Sequence, residues 1–530
     1  MNTTAIDQVF EAWAKPGVPG ASLGVIQNGE LVFAHGYGLA NLEYDIPNDE
    51  NSVFRIGSTS KQFTAACIVL LSQQGKLNLD TSLSSFFPDF PGYAATITLK
   101  HLIHHTSGIR DYLQLAYLKG LSEFDYYADA DVLNWLINQT NLNFQPGEEY
   151  LYSNSGYWLL GQIVEKASGK NMAEFAKSEI FDPLEMSNTH FHNDHNRIVK
   201  NRASGYIPID EENYRISMTT LDTIGDGGIF TSVSDIKKWD DEFYNRSILN
   251  DEFWEIMTTV GRLNNGKKID YAGGLIIDNY KGQRTIAHGG AFVGFRAELL
   301  RFPDQKTTIA IFSNRGDAVP WDMAYQVADI VLKGVLVEDE SIEDTSPDQH
   351  HTQEEYSLEQ LAGDYEIQSG IVIRFSVHSG SLQVLQIWNN ASYSISRSGL
   401  NEFRIPENDD LTFTFSELSD NLAQTLTIVQ AGNTSVANRA EVFDSSGIDL
   451  TEFTGSYYSE ELSASYHFEL VDGNLQLGIA SNIPVMACNI VGTDTLFIQV
   501  GQATFTRKNG KIKGFKLDSG RVQGMMFRKQ

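Results

Sequence analysis

The chain has 530 residues, of which 42% are hydrophobic and 20% are charged, an ordinary composition for a globular protein. Because single hydrophobic cores stop growing at about 250–300 residues, this length predicts two to four domains. The formal net charge of −29 disfavours binding to nucleic acid and to anionic membranes, since both need basic surfaces.

The N-terminal segment, residues 1–15, has no basic stretch followed by an apolar one and so lacks the pattern of a signal peptide. No apolar run reaches 18 residues, and we therefore expect no transmembrane segment. The sequence fits a cytoplasmic protein, or a secreted or periplasmic one from which a signal peptide has been removed. It does not determine the oligomeric state.

Residues 1–337 alternate helical and strand patterns and are predicted to form one domain. The run Lys61–Gln73 is apolar on almost every side, which predicts a buried helix that stops at Gly75. The other predicted elements are, in chain order, a hairpin over 21–38 that turns at Asn28-Gly29, a helix over 157–167, strands over 285–287, 295–302 and 306–312, and a helix over 321–336.

Residues 338–355 contain eight acids and no Lys or Arg, a composition that predicts an extended linker between domains. The chain beyond it shows many short strand patterns and an internal echo. Leu361–Tyr365 resembles Phe453–Tyr457 at an offset of 92 residues. We therefore predict two antiparallel, lipocalin-like β-barrels, at 356–445 and 446–530, with one larger β-sandwich as the alternative.

The first candidate site is Ser58-Thr59-Ser60-Lys61, where a loop meets the predicted buried helix. Residues three apart on a helix share a face, so Lys61 can reach the Ser58 hydroxyl. A serine hydroxyl is a poor nucleophile until a neighbour takes its proton, and a helix N-terminus offers N–H groups to an oxyanion. Alone, this spacing is weak, because a capping serine beside an exposed lysine gives the same pattern.

The second candidate site is Tyr152-Ser153-Asn154, on a loop that precedes a helix. A cation nearby favours the anion of a phenol, so Tyr152 beside Lys61 is a candidate base. Asn154 is a candidate partner for Lys61 and for the substrate. The structural alternative is a helix cap in a polar loop.

The third candidate site is His288-Gly289-Gly290, predicted to end the strand over 285–287. The two glycines remove side chains where a substrate backbone would approach closely, and the next residue, Ala291, is a candidate second oxyanion donor. The alternative is a plain glycine turn with a surface histidine.

Together the three motifs, in this order, resemble those of the serine β-lactamase and penicillin-binding-protein superfamily, and within it the D-aminopeptidases. The resemblance covers about residues 5–335. It is carried by GSTSKQFTAACIVLL (57–71), HLIHHTSGIRDYL (101–113), FQPGEEYLYSNSGYWLLGQIVEKASGK (144–170), GDGGIFTSVSDIKKW (225–239) and HGGAFVGFR (288–296).

The resemblance implies an α/β (α+β) catalytic domain with a central antiparallel sheet flanked by helices, followed by two C-terminal barrels. It also implies site roles. Ser58, Lys61, Tyr152 and His288 match catalytic positions, Asn154, Gly289 and Gly290 match substrate-binding ones, and the N–H groups of Ser58 and Ala291 match the oxyanion hole.

The third motif of this chain departs from the pattern of many relatives, and this difference separates subfamilies. Many relatives have Lys-Thr/Ser-Gly at the third site, whereas this chain has His288 and Gly289 there, which lowers the expectation of β-lactamase activity. A histidine also predicts sensitivity to pH near neutrality. We expect Arg296 to pair with an acid on its own strand, or alternatively to replace the lost substrate-binding cation.

We therefore expect a serine hydrolase that forms an acyl-enzyme from amide or ester substrates, most similar to a D-aminopeptidase acting on small molecules or short peptides. The alternatives are a carboxylesterase with the same residues and a non-catalytic binding protein on the same fold. No cofactor is expected. No metal site is expected either, because His101, His104 and His105 lack a carboxylate at a suitable spacing.

Overall fold

The computed structural model describes residues 1–210, 213–337, 355–368, 371–378, 380–386, 391–405, 408–430, 433–440, 443, 445–480 and 483–530. Two compact units are formed, the first holding residues 1–117 and 121–337 and the second holding the C-terminal strands. The predicted acidic linker lies, apart from Glu355, outside the described residues. Within the described ranges, no helix has both the length and the apolar character needed to cross a membrane.

The helices of the first unit include the predicted buried one. In chain order they are α1 (Thr3–Val9), α2 (Lys61–Gln73), α3 (Leu99–Ile103), α4 (Tyr112–Leu118), α5 (Asp129–Ile137), α6 (Asn154–Ser168), α7 (Met172–Ala176), α8 (Val233–Asn245), α9 (Asp251–Thr258) and α10 (Pro320–Val331). A 3₁₀ helix, Gly57–Ser60, leads directly into α2, and a π-helical turn, Lys177–Phe181, follows α7.

Helix α2 has the predicted bounds, and ten of its thirteen residues are buried. A helix without a polar face must be enclosed by other elements, and α2 packs against α6 and α9. Helix α6 begins at Asn154, three residues before the predicted start, and ends at Ser168, followed by Gly169, whose left-handed φ of +76° suits glycine. Helix α10 ends at Val331, five residues before the predicted end, and Gly334 turns the chain beyond it with φ +85°.

The strands of the first unit build one large sheet and three small ones. They are β1 (Ala21–Gln27), β2 (Glu30–Tyr37), β3 (Leu39–Asn41), β4 (Ile46–Pro47), β5 (Phe54–Arg55), β6 (His190–Phe191), β7 (Tyr206–Pro208), β8 (Tyr214–Ile216), β9 (Ile229–Thr231), β10 (Ile276–Tyr280), β11 (Gln283–Phe292), β12 (Phe295–Phe302) and β13 (Thr307–Ser313).

The large sheet has the order β10-β11-β12-β13-β1-β2, and every neighbouring pair is antiparallel. The predicted central antiparallel sheet is thus confirmed. The hairpin β1–β2 turns at Asn28 and Gly29, with φ values of +53° and +82°, as expected of this dipeptide. The first and last strands of the unit, β1 and β13, are neighbours in the sheet.

Helices cover both faces of this sheet. On one face α1 and α10 share an apolar core with Leu300, Phe302 and Ile309. On the other face α8 packs against β1 and β13. There a buried ion pair joins Arg301 Nε to Asp240 Oδ1 at 2.8 Å, and both side chains are 1% exposed. Strand β11 is the second strand of this sheet, between the edge strand β10 and β12.

Strand β11 is longer than predicted. The sequence predicted that it stops before His288, but it continues to Phe292, because β12 pairs with it as far as the register Phe292↔Phe295. The two glycines at 289 and 290 therefore lie within a paired strand rather than in a turn. Cross-strand hydrogen bonding outweighs the low strand preference of glycine here.

The second unit contains a short helix, α11 (Leu358–Leu361), and two closed barrels. The first barrel consists of β14 (Gly363–Gln368), β15 (Ile371–His378), β16 (Ser381–Gln386), β17 (Ala391–Gly399), β18 (Glu402–Ile405), β19 (Asn408–Ser419), β20 (Leu422–Gln430) and β21 (Asn433–Arg439). The second consists of β22 (Gly455–Ser459), β23 (Ala464–Val471), β24 (Asn474–Gly478), β25 (Met486–Gly492), β26 (Thr495–Ile498), β27 (Gly501–Lys508), β28 (Lys511–Ser519) and β29 (Val522–Lys529).

The two barrels repeat one local structure, as the sequence echo predicted. The Tyr365 hydroxyl donates to the Leu361 carbonyl at 2.9 Å, and the Tyr457 hydroxyl donates to the Phe453 carbonyl at 2.8 Å. Both rings are fully buried. Two tandem barrels are thus confirmed, and the alternative of one larger sandwich is wrong.

Candidate active site

Ser58 lies in the 3₁₀ helix at the N-terminal end of α2, and its side chain is partly exposed. Lys61, the first residue of α2, is fully buried. Its Nζ atom lies 3.1 Å from Ser58 Oγ. The two side chains that the sequence placed on one helical face are therefore in hydrogen-bond contact.

The Lys61 amine lies in a polar cage lined by aromatic rings. Besides Ser58, it donates to Asn154 Oδ1 at 2.9 Å and to the Asp226 carbonyl at 2.5 Å. The rings of Tyr152 and Tyr157 lie beneath it, with centroids 4.8 and 5.6 Å from Nζ. These contacts hold a polar group with no solvent exposure beside the serine hydroxyl.

Tyr152 is partly buried against the ring of His105, with the two centroids 4.1 Å apart. The His105 Nδ1 atom accepts a hydrogen bond from the Ser153 N–H at 3.1 Å. His105 thus fixes both the ring of Tyr152 and the backbone next to it. The sequence suggested only a possible metal ligand at His105, so these contacts with Tyr152 and Ser153 were not predicted.

Asn154 is held by a second missed residue. Its backbone N–H donates to Asp111 Oδ2 at 2.6 Å, while Asp111 Oδ1 accepts from the Leu113 N–H at 3.0 Å. Ser155, the next residue of α6, donates to the Arg110 carbonyl at 2.7 Å. The loop before α4 therefore anchors the start of α6 and orients Asn154 toward Lys61.

Asp226 lies in the glycine-rich loop that the sequence placed near the pocket. Its carbonyl faces Lys61, and its carboxylate accepts from the Tyr112 hydroxyl at 3.0 Å. Burial raises the pKa of Asp226, and the nearby Lys61 opposes this shift. The loop acts on the site mainly through its backbone.

Strand β11 approaches the serine loop very closely. A Cβ atom on Gly290 would lie 1.9 Å from the Ile56 carbonyl oxygen, and one on Gly57 would lie 2.8 Å from the Ala291 nitrogen. Both positions therefore need glycine, and Gly57 also has φ +51°. This contact brings the Ala291 N–H next to the loop that carries the Ser58 N–H.

The space left by the two β11 glycines is occupied by the protein itself. An added Cβ would meet other protein atoms at both positions, and the close approach of a substrate backbone stays a prediction. Gly290 faces Ile56, and a Cβ on Gly289 would lie 2.8 Å from Glu298 Oε2. The glycines therefore allow β11 to lie close to its neighbours.

His288 is enclosed by the protein, with 4% of its surface exposed. Its Nδ1 lies 2.6 Å from the Gly289 carbonyl, and its Nε2 lies 2.9 Å from the Tyr271 hydroxyl. A carbonyl only accepts, so Nδ1 carries the proton and Nε2 accepts from Tyr271. Both ring nitrogens are thus engaged within the protein.

Burial and the nearby Lys61 lower the pKa of His288 to about 4. The ring is therefore neutral at pH 7, and the prediction of pH sensitivity near neutrality is wrong. The physical reason is that a second cation beside Lys61 in a buried site is unfavourable. Tyr271, whose pKa burial raises well above its usual value, was not predicted from the sequence.

Arg296 does not pair with an acid on its strand, as the sequence led us to expect. Its Nη1 donates to the Val293 carbonyl at 2.8 Å and to the Phe295 carbonyl at 2.7 Å. The guanidinium instead lines a cavity of about 490 Å³ next to Ala291.

This cavity, which we call the Ala291 cavity, has a mixed lining within the first unit. Its charged side chains are Glu123, Arg215 and Arg296. Aliphatic and aromatic side chains supply much of the rest, and they include Leu113, Ala116, Tyr117, Leu121, Phe124, Tyr127, Ile207, Phe292 and Val293. Such a pocket accommodates an apolar group with a few fixed polar contacts.

Comparison with known proteins agrees with this fold. A protein-family model described as Beta-lactamase matches residues 6–332. The chain therefore belongs to the β-lactamase family, and the predicted superfamily is confirmed.

Its curated relatives include penicillin-binding proteins and D-aminopeptidases. Penicillin-binding protein 4* of Bacillus subtilis is 30% identical over 328 residues, which cover 58% of this chain and 71% of that protein. A D-aminopeptidase of Gluconobacter oxydans is 28% identical over 307 residues, or 57% of each chain. The matched region thus spans little more than half of that D-aminopeptidase.

Solved structures show the same fold. The octameric penicillin-binding protein homologue from Pyrococcus abyssi has a TM-score of 0.57 at 22% identity and covers 91% of this chain and 99% of its own. The D-amino acid amidase from Ochrobactrum anthropi SV3, complexed with L-phenylalanine amide, has a TM-score of 0.52 at 22% identity and covers 62% of this chain and 99% of its own.

Proposed function

We propose that this protein is a serine hydrolase that cleaves amide or ester bonds through an acyl-enzyme, with D-aminopeptidase-like specificity. The observation that carries the proposal is the 3.1 Å contact between Lys61 Nζ and Ser58 Oγ inside a buried polar cage. A surface lysine beside a capping serine would have neither the burial nor the two further acceptors, Asn154 and Asp226.

In the first step Ser58 Oγ attacks the substrate carbonyl while Tyr152, beside the Lys61 ammonium group, accepts its proton. The new bond joins Oγ to the carbonyl carbon, and the N–H groups of Ser58 and Ala291 stabilise the oxyanion. Removing one such donor in related chemistry lowers turnover by about 10²–10³-fold. The close approach of β11 to Gly57 supports this pair of donors.

In the second step the C–N or C–O bond breaks, and the leaving amine or alcohol takes the proton from Tyr152. Water then attacks the acyl-enzyme, which releases the acid and returns the proton to Ser58. His288 takes no part in these proton transfers, because Tyr271 and the Gly289 carbonyl occupy its two nitrogens. It serves instead to position β11.

The acyl part of the substrate enters the Ala291 cavity. Its lining supports a residue with an apolar side chain. The net charge of −29 weakly favours the approach of a substrate with an N-terminal ammonium group. The relatives named D-aminopeptidase support the D configuration of that residue.

A panel of three substrates tests the proposal: D-alanine p-nitroanilide, p-nitrophenyl acetate and a chromogenic cephalosporin. We expect turnover of the anilide, little of the cephalosporin, and loss of both anilide and ester turnover in Ser58→Ala. Ester turnover without anilide turnover would show a carboxylesterase. If no fluorophosphonate label ever reaches Ser58, the fold serves in binding and the proposal is wrong.

A further inference from the structure

The structure contains a buried carboxyl group that the reaction above does not use. Glu298 lies on β12 directly opposite Gly289 of β11, and only 5% of its surface is exposed. Its Oε2 atom stands 2.8 Å from the point that a Cβ on Gly289 would occupy. The carboxyl group thus lies against Gly289, where no side chain separates it from the strand.

Glu298 points to the face of the sheet that α10 covers. Side chains two apart on a strand share a face, and Leu300 belongs to the apolar core formed with α1 and α10. On this face the pKa of Tyr325, on α10, is raised by burial first and then by Glu298 and Asp278. The titratable groups on this face are therefore carboxyl groups and phenols, and the phenol of Tyr280 is another of them.

The nearest cation along the strand is turned elsewhere. Arg296 donates through Nη1 to the carbonyls of Val293 and Phe295. Among the residues that the structure describes, none forms an ion pair with Glu298. Burial without a compensating charge raises the pKa of Glu298 to about 8. The group is accordingly a neutral acid at pH 7.

We propose that Glu298 is a positioning residue whose uncharged carboxyl group packs on Gly289 and so fixes the part of β11 that bears His288 and Ala291. This inference rests on the proposed function, because the Ala291 N–H matters only as an oxyanion donor. Loss of the proton converts the carboxyl group to a carboxylate and releases H⁺ to solvent. A carboxylate in this apolar layer must draw in water or a cation, which moves it off Gly289 and shifts the strand.

The consequence is an alkaline limit on the reaction. The Ala291 N–H lies two residues beyond Gly289 on the same strand, and a displacement of about 1 Å in a catalytic group lowers rates by up to about 10²-fold. We expect the acylation rate of Ser58 to fall above about pH 8, by up to about tenfold for each pH unit, as a single group ionises.

The experiment measures the rate at which a fluorophosphonate probe labels Ser58 between pH 6 and 10, so that it does not depend on knowing the substrate. Glu298→Gln replaces a neutral acid by a neutral amide of the same shape, and the alkaline fall should disappear. Asp278→Asn, on β10 of the same sheet, is the matched control and should keep the wild-type profile. Glu298→Met, also neutral and similar in length, is the second variant in case Glu298→Gln does not fold.

The two proposals fail in different ways. If Ser58 of the wild type is labelled but both neutral variants keep its alkaline fall, Glu298 has no positioning role and the hydrolase proposal stands. If Ser58 is never labelled at any pH, the hydrolase proposal itself is wrong. A wild-type rate that stays constant from pH 7 to 10 also overturns the role of Glu298.

Discussion

The backbone N–H of Asn154 donates a 2.6 Å hydrogen bond to Asp111 Oδ2, across 43 residues of sequence. Through this bond the loop before α4 determines where Asn154 presents its side-chain oxygen to Lys61. The catalytic arrangement therefore depends on a residue that need not touch the substrate.

Replacement of Asp111 by alanine should reduce kcat/KM by about 10²-fold, because the start of α6 loses its anchor and Asn154 moves away from Lys61. Asp111→Asn keeps one oxygen acceptor and should lose less. Steady-state kinetics on p-nitrophenyl acetate measure both variants. Equal activity of Asp111→Ala and wild type would mean that α6 holds Asn154 without this bond.

His105 should prove important through Tyr152 rather than as a metal ligand. His105→Ala removes the ring whose centroid lies 4.1 Å from that of Tyr152 and the acceptor for the Ser153 N–H. We expect a lower kcat with less change in KM, since the phenol that transfers the proton loses its support. His101→Ala is the matched control, because His101 bonds instead to the backbone of Thr98. Addition of a chelator should leave the wild-type rate unchanged.

The neutral state of His288 predicts a specific pH dependence of stability. Its folded pKa is about 4, whereas the unfolded value is near the ordinary 6.5. The unfolded chain therefore binds more protons between these values, and stability should fall as pH drops from about 6.5 toward 4. His288→Gln should lose less stability than the wild type over this window, as measured by thermal unfolding at intervals of half a pH unit. Identical slopes for the two proteins would contradict the assigned neutral, buried ring.

The buried ion pair between α8 and β12 should contribute more to the free energy of unfolding than a surface ion pair does. Asp240→Ala leaves the Arg301 guanidinium, which is 1% exposed, without its partner carboxylate and should lower the free energy of unfolding by about 3–5 kcal/mol. The exposed pair Arg528–Glu460 is the comparison. Glu460→Ala should change the free energy of unfolding by about 0–1 kcal/mol. Chemical denaturation measures both variants. A small effect at Asp240 would show that Thr308, its other hydrogen-bond partner, and water compensate for the loss.

Local patterns predicted much of this structure. Helix α2 has the predicted bounds because its apolar residues leave no face for solvent, and the hairpin turns at Asn28-Gly29 because that dipeptide accepts positive φ. Ser58 and Lys61 were predictable as a pair, since three residues of helix bring them together. The two barrels were also predictable from a local pattern, because the short segments around Tyr365 and Tyr457 resemble each other.

Contacts between distant segments were not predictable in this way. No local spacing pairs Asp111 with Asn154 or Tyr271 with His288, and the neutral state of His288 follows from burial that only the fold creates. The expected pairing of Arg296 with a strand acid failed because backbone carbonyls of the hairpin between β11 and β12 lie closer to its guanidinium. That failure leaves Glu298 without a cation.

Activation of Ser58 by Lys61 is the step on which the proposed reaction depends most. The most direct measurement is the rate of fluorophosphonate labelling, with the modified residue located by peptide mass spectrometry, in wild type, Lys61→Met and Ser60→Ala. We predict one adduct on Ser58 in the wild type and in Ser60→Ala, and labelling slower by at least about 10²-fold in Lys61→Met. An adduct on another residue, or an equal rate in Lys61→Met, would contradict the account.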